Sequence, residues 1–243
     1  MDEKFWEQIN TFGENGEFDK IVREIKELPE EKLNIELINA LGRAYMNLGD
    51  YENALDTYLS YIGKNKEDVT NADIWIYSEC GWLCNEVGDY EQGLKYLLEA
   101  EKLGRDDEWV WARIANIYFD LERYEDALKA YNRAYELEGA YKEGKDSLYI
   151  CSIGRTLRRL GRYEEAIEKL LESRRLSLEE GDVVDLEDLE LAYCYAVLGN
   201  KEKAEEHMKL SIDSLGTYAE SEEYLKKQFD EIREMINVLS KPS

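Results

Sequence analysis

The chain has 243 residues, a formal net charge of −24 and a charged fraction of 35%. Because so acidic a surface repels phosphate groups, we expect neither nucleic acid nor an anionic membrane as a partner. The N-terminal sequence MDEKFWEQIN has no apolar signal segment, and no apolar run is long enough to span a bilayer, so we expect a cytoplasmic protein.

Two prolines and abundant Glu, Leu and Ala favour helix along the whole chain. Residues 2–31 predict a first pair of helices, since apolar side chains recur at helical spacing on both sides of Gly16. Pro29 marks the end of the second helix. The apolar positions of this pair are Phe5, Ile9, Phe12, Phe18, Ile21, Ile25 and Leu28.

The same helix–turn–helix pattern recurs five more times, and residues 108–141 carry its clearest copy. There Trp111, Ile114, Ala115, Tyr118, Ala127, Leu128, Tyr131 and Ala134 form one apolar face on each side of a turn. Small residues in this set let two helices approach closely, while large ones fill the space beside them. The predicted repeats are 2–31, 35–68, 74–107, 108–141, 147–180 and 185–216.

This pattern resembles the tetratricopeptide repeat (TPR), and the chain as a whole resembles bacterial proteins built from such repeats alone. With Glu108 as position 1, the family's small residue at position 8 is Ala115 here, and its alanine at position 20 is Ala127. Glu122 replaces the usual turn glycine, and the closing proline is absent. The resemblance implies an all-α right-handed superhelix, an α-solenoid of about six helical hairpins, in a single domain spanning residues 1–243.

A further helix is predicted over residues 218–240. Its apolar stripe would cover the exposed side of the last repeat, as a solenoid cap does. A partner-binding helix is the alternative. The stripe consists of Leu225, Phe229, Ile232, Ile236 and Leu239.

The sequence offers no catalytic or metal-binding constellation. Phosphate-loop, dinucleotide, GxSxG and HExxH motifs are missing, and His207 is the only histidine. We expect His207 to be a partly exposed structural residue, and Cys80 and Cys84 to be reduced core thiols rather than zinc ligands. No enzymatic activity, cofactor or metal is therefore predicted.

Four of the five tryptophans, Trp6, Trp75, Trp82 and Trp109, lie on the side of the first helix of a repeat that faces away from its partner helix. In TPR proteins this side lines a concave groove that holds a peptide. Large aromatics there provide contact area at low entropic cost. Arginines on the same side would bind a carboxylate, unless they pair with neighbouring acids. The predicted peptide-binding residues are Asn39, Arg43, Trp75, Trp82, Trp109, Arg113, Asn116, Phe119, Arg155, Arg158 and Arg159.

The predicted function is a protein- or peptide-binding scaffold, with a partner that carries an acidic group or a free carboxylate. A peptide-sensing regulatory protein is an alternative within the same class. A self-assembling structural solenoid is an alternative from another class, and an enzyme is the least favoured. A monomer is expected, and light scattering would distinguish it from a self-assembled form.

Overall fold

The computed structural model describes residues 3–64, 71–141, 147–181, 184–216 and 222–239, and these residues form helices and turns without a strand. The prediction of an all-α fold is thereby confirmed. The chain divides into two compact units, Met1–Asp106 and Asp107–Ser243. The single domain expected from the sequence stays a prediction. None of the helices in the described ranges is both long and apolar enough to cross a membrane.

The first unit contains three helical hairpins and a short 3-10 turn at Glu30–Lys32. Its core is apolar and continuous, and the largest fully buried side chains include Tyr58, Ile25, Leu37 and Ile76. The helices are α1 Glu3–Glu14, α2 Phe18–Lys26, α3 Ile35–Asn47, α4 Tyr51–Lys64, α5 Asn71–Glu86 and α6 Tyr90–Lys102.

The second unit contains three more hairpins and the C-terminal helix. Consecutive helices pack against each other throughout, and α13 packs on both α11 and α12. The helices are α7 Glu108–Asp120, α8 Tyr124–Tyr141, α9 Ser147–Arg159, α10 Tyr163–Glu180, α11 Asp185–Val197, α12 Lys201–Leu215 and α13 Glu223–Leu239. The predicted cap at 218–240 thus begins and ends at residues outside the described ranges.

Close approach within a hairpin depends on a small residue at position 8 of the repeat. A β-carbon built on Gly42 would lie 2.3 Å from the ring of Tyr58, and one built on Gly81 would lie 2.4 Å from Leu97 Cγ. The large side chain on the second helix therefore occupies the volume that a side chain on the first would need. A glycine on the first helix and a large residue sixteen positions later on the second thus set the distance between the helices.

The hairpin turns depend on residues with left-handed backbone geometry. Gly49, Gly88 and Gly161 have φ between 73° and 81°, a region that glycine enters without steric cost. The turn between α7 and α8 uses Glu122 at φ 56° instead. The turn therefore forms with glutamate in place of glycine, but Glu122 has a strained backbone conformation.

Candidate peptide-binding surface

The eleven predicted binding residues are divided between the two units. Asn39, Arg43, Trp75 and Trp82 belong to the first unit, and the other seven belong to the second unit.

In the first unit, Trp75 and Trp82 pack against the preceding hairpin. The ring of Trp75 meets Tyr58 edge to face at 6.1 Å between centroids, and the ring of Trp82 meets Tyr51 in the same way at 5.6 Å. Both tryptophans are half-buried against the apolar core of the unit. Part of each ring thus stabilises the fold, and only the remainder is available to a ligand.

Asn39 and Arg43 lie on the first helix of the second repeat, and the charge of Arg43 acts on the buried hydroxyl of Tyr58. Burial raises the pKa of Tyr58 far above its ordinary value, Glu79 raises it further, and Arg43 opposes the shift. Among the described residues, neither the Tyr58 hydroxyl nor Asn39 Oδ1 has a hydrogen-bond partner. Two buried polar atoms of the first unit are thus left for a bound water or a ligand group to satisfy.

In the second unit, Asn116 has a structural partner. Its Oδ1 accepts a hydrogen bond from the Tyr131 hydroxyl at 2.5 Å, which joins α7 to α8. Burial raises the pKa of Tyr131 to about 12, so the hydroxyl stays protonated and remains a donor. Asn116 is therefore held in a fixed orientation on the exposed side of α7.

Phe119 is in contact with two arginines from the next repeat. The guanidinium carbon of Arg155 is 5.3 Å from the centre of the Phe119 ring, and that of Arg159 is 5.9 Å from it. These distances are in the range of cation–π attraction. The contacts bring three predicted binding residues together on the face shared by α7 and α9.

Arg155 and Arg158 also pair with an acid. Arg158 Nε contacts Glu190 Oε2, and Arg155 Nε lies 3.6 Å from Glu190 Oε1. The Glu190 side chain is 2% exposed and that of Arg158 is 9% exposed. Burial disfavours the charge of Arg158, but Glu190 outweighs this effect and the pKa of Arg158 is raised. Arg155 and Arg158 therefore pair with a neighbouring acid, which was the alternative to ligand binding.

Arg159 differs from its neighbours. It is exposed at the end of α9, and within the described ranges no carboxylate lies within 4 Å of it. Its guanidinium is held by Phe119 alone among the described rings. Of the arginines predicted on α9, Arg159 is therefore the one whose charge is open to a ligand.

Trp109 is 60% exposed, unlike Trp75 and Trp82. The same repeat position carries Leu148 on α9, 63% exposed, and Leu186 on α11, 36% exposed. These two leucines were missed by the sequence reasoning, which selected aromatic residues, arginines and asparagines on the outer face but no aliphatic residue. An apolar residue at position 2 in each of three consecutive repeats was the signal that could have found them.

His207 is buried rather than partly exposed, which corrects the sequence expectation. Its Nδ1 lies 2.7 Å from Asp188 Oδ1, the same oxygen that accepts a hydrogen bond from Arg174 Nε at 2.8 Å. The imidazole also stacks on Tyr195. The half-buried Arg174 on α10 and the buried Asp188 and His207 on α11 and α12 satisfy one another, so His207 holds helices together.

The cysteines are buried and free, as predicted for Cys80 and Cys84. Burial raises the pKa of Cys84 to about 11 and that of Cys194 to about 12, which keeps both thiols neutral. In the described part of the chain, no group of three or more His, Cys, Asp or Glu side chains is placed to hold a metal ion.

Comparison with known protein families identifies the repeats. Family models described as "Tetratricopeptide repeat" match residues 37–70 and residues 106–179. Both units therefore contain tetratricopeptide repeats. The matched ranges include α4 and most of α3 in the first unit, and α7 to α9 and nearly all of α10 in the second. A comparison with curated proteins gives no match.

Solved structures of other TPR proteins are similar to this one in fold. MamA from Desulfovibrio magneticus RS-1 has 17% sequence identity and a TM-score of 0.62, with 74% of this chain and 93% of that chain covered. YrrB, described as a TPR protein with an unusual peptide-binding site, has 18% identity and a TM-score of 0.59, with 88% of this chain and 97% of that chain covered. At this identity the similarity concerns the fold alone. The tetratricopeptide repeats that the family models match are those of a protein-interaction scaffold.

Proposed function

We propose that this TPR protein binds an extended peptide segment of a partner protein and has no catalytic activity of its own. The binding surface in this proposal is the outer face of α7, α9 and α11 in the second unit. YrrB, which has the same fold, is described as having a peptide-binding site.

One observation carries the proposal: large apolar side chains are exposed where the core does not use them. Trp109, Leu148 and Leu186 occupy the same position in three consecutive repeats and remain exposed. Exposed apolar groups at a regular interval suit a peptide that places an apolar side chain opposite each. Trp109 adds a rigid aromatic, the residue type that most often dominates binding energy.

The charged part of the surface gives the peptide its direction. Arg159 is exposed beside Phe119, and Arg155 is half-exposed above the same ring. In a protein of net charge −24, an exposed arginine that has no acidic partner among the described residues attracts an acidic group specifically. We propose a ligand with apolar side chains toward Trp109 and a carboxylate toward Arg159.

The test begins with a random heptapeptide library displayed on phage and selected on the full-length protein. Affinities of the selected peptides would then be measured by fluorescence anisotropy. Trp109→Ala and Arg159→Glu should each weaken binding at least tenfold, which corresponds to about 1.4 kcal/mol. Both residues are exposed, so the melting temperature should change little.

Two control variants on α10 make the same types of change, the truncation of an exposed apolar side chain and the reversal of an arginine charge. Leu178 is 51% exposed, and Arg175 pairs with Glu179 at the surface. Leu178→Ala and Arg175→Glu should leave the affinity of the selected peptides unchanged. A library that yields no binders, or binders equally sensitive to the α10 variants, would contradict the proposed surface.

A further inference from the structure

The second unit contains a cleft that the repeats alone do not form. It has a volume of about 250 Å³ and lies where α9, α11 and α13 meet. This is smaller than the 300–1,000 Å³ of ordinary small-molecule sites, and it suits one side chain or one chain end. Its walls include Arg158, Arg159, Tyr193, Tyr224, Lys227 and Glu231.

The positive charges in this cleft are not all neutralised. Arg158 is paired with the buried Glu190, but Arg159 and Lys227 are exposed. Over the described ranges, neither of these two cations has a carboxylate within 4 Å. Two cations from different helices therefore converge on one small space with their charges available.

The acid in the cleft is already engaged. Glu231 Oε1 accepts a hydrogen bond from the Tyr193 hydroxyl at 3.3 Å. Burial and the charge of Glu231 raise the pKa of Tyr193, so the hydroxyl remains a donor. Tyr193 is itself held by the guanidinium of Arg158, 4.5 Å from its ring centre. The second oxygen of Glu231 can still accept a hydrogen bond from a ligand N–H.

This arrangement offers cations on one side and an acceptor on the other. A carboxylate on a peptide supplies both complements, since its oxygens accept from Arg159 and Lys227 while a neighbouring amide N–H donates to Glu231. An anion without a hydrogen-bond donor, such as sulfate or chloride, has nothing to offer the free oxygen of Glu231. The chemistry therefore favours a peptide carboxylate.

We propose that this cleft binds the carboxylate of a peptide, with Arg159 and Lys227 as the charged contacts and Glu231 as the acceptor for an adjacent N–H. The proposal rests on the peptide-binding function above and places the acidic end of the ligand. It also makes α13 part of a binding site in addition to its packing on the last repeat.

The test uses small carboxylate probes and 1H–15N NMR spectra of the full-length protein. N-acetyl-glycylglycine represents a chain end, N-acetyl-aspartate methylamide represents an acidic side chain, and N-acetyl-glycylglycine amide is the neutral control. Titration to about 20 mM should give saturable shifts at the end of α9 and in α13 for at least one carboxylate and none for the amide. Whichever carboxylate binds more tightly identifies the source of the group.

Neighbouring lysines on α13 provide a matched pair of variants. Lys227 lines the cleft and also borders a second depression on α13, whereas Lys226 borders only that second depression. Lys227→Ala should weaken carboxylate binding at least fivefold, and Lys226→Ala should leave it unchanged. Equal effects of the two variants, equal binding of acid and amide, or no saturable shift with either carboxylate would overturn the proposal.

The outcome separates this inference from the proposed function. Selected peptides that lose affinity with Trp109→Ala but not with Lys227→Ala would refute the cleft and retain the peptide surface. Carboxylate probes that bind while the library yields no peptide would do the reverse.

Discussion

Gly154 on α9 lies directly against Leu170 on α10, because a β-carbon built on the glycine would be 2.7 Å from the leucine Cγ. This is the same relationship as between Gly42 and Tyr58 in the first unit. The backbone of one helix thus contacts a side chain of the next with no room for a methyl group.

Gly154→Ala should therefore destabilise the protein by about 1–3 kcal/mol, the usual cost of overpacking a core. Urea unfolding followed by circular dichroism would measure it. The matched control is Gly63→Ala on α4, where a β-carbon would meet nothing within 4 Å. There alanine should be neutral or stabilising by up to about 1 kcal/mol, since glycine is the poorer helix former. Equal effects at both sites would contradict the packing argument.

Glu122→Gly should stabilise the protein. Glu122 has φ 56°, where a side chain costs about 1–2 kcal/mol and glycine does not. Part of this gain is offset by the greater freedom of glycine in the unfolded chain, so the expected increase is about 0.5–1 kcal/mol. Glu122→Gln removes the same charge and keeps the strained backbone. It should give no comparable gain, and an equal gain would attribute the effect to charge.

Glu190→Gln should be strongly destabilising. It leaves the buried guanidinium of Arg158 without its partner, and breaking a buried pair costs about 3–5 kcal/mol. Adding Arg158→Met should recover part of the loss, because both charges are then gone. Glu165→Gln, which breaks the exposed pair with Arg162, should change the free energy of unfolding little. Similar losses for both glutamates would refute the role of burial.

The thiols should react slowly in the folded protein. Thiolate is the reactive form of cysteine. The pKa is raised to about 11 for Cys84 and to about 12 for Cys194, so little thiolate is present at pH 8. A disulfide reagent should label all four cysteines rapidly in denaturant only. Ser214→Cys, an exposed position on α12, should add one fast-reacting thiol to the folded protein. Fast labelling of the native cysteines would contradict their burial.

The same pKa shifts predict a loss of stability at alkaline pH. The neutral thiol of Cys84 is favoured in the folded state, so its contribution is fully present below pH 9 and is lost as the pH rises toward 11. The urea midpoint should fall over this window, and it should fall less in Cys84→Ala. An identical fall in both proteins would assign the effect to other groups.

Much of the fold could be predicted because it depends on residues close in sequence. Ala115 and Tyr131, for example, occupy fixed repeat positions, and each repeat contacts mainly its neighbours. The binding site was harder to predict, because the partners of an arginine are side chains from another repeat. Nothing in the sequence around Arg158 and Arg159 distinguishes the one that is buried against Glu190 from the one that is exposed. Asp188 likewise occupies a position where the repeat expects an apolar residue, and its partner His207 lies on the next helix.

Helix α11 carries three buried acids, and each has partners on other helices. Glu187 Oε1 lies 2.8 Å from Ser173 Oγ on α10, Asp188 binds Arg174 and His207, and Glu190 binds the arginines of α9. An apolar interface tolerates many neighbours, whereas a buried charge accepts only a neighbour that supplies its counterpart. The sixth repeat is therefore not interchangeable with the others. Moving it to another position, or deleting the repeat before it, would bury carboxylates without their partners. The buried charges thus fix the order of the repeats in this unit.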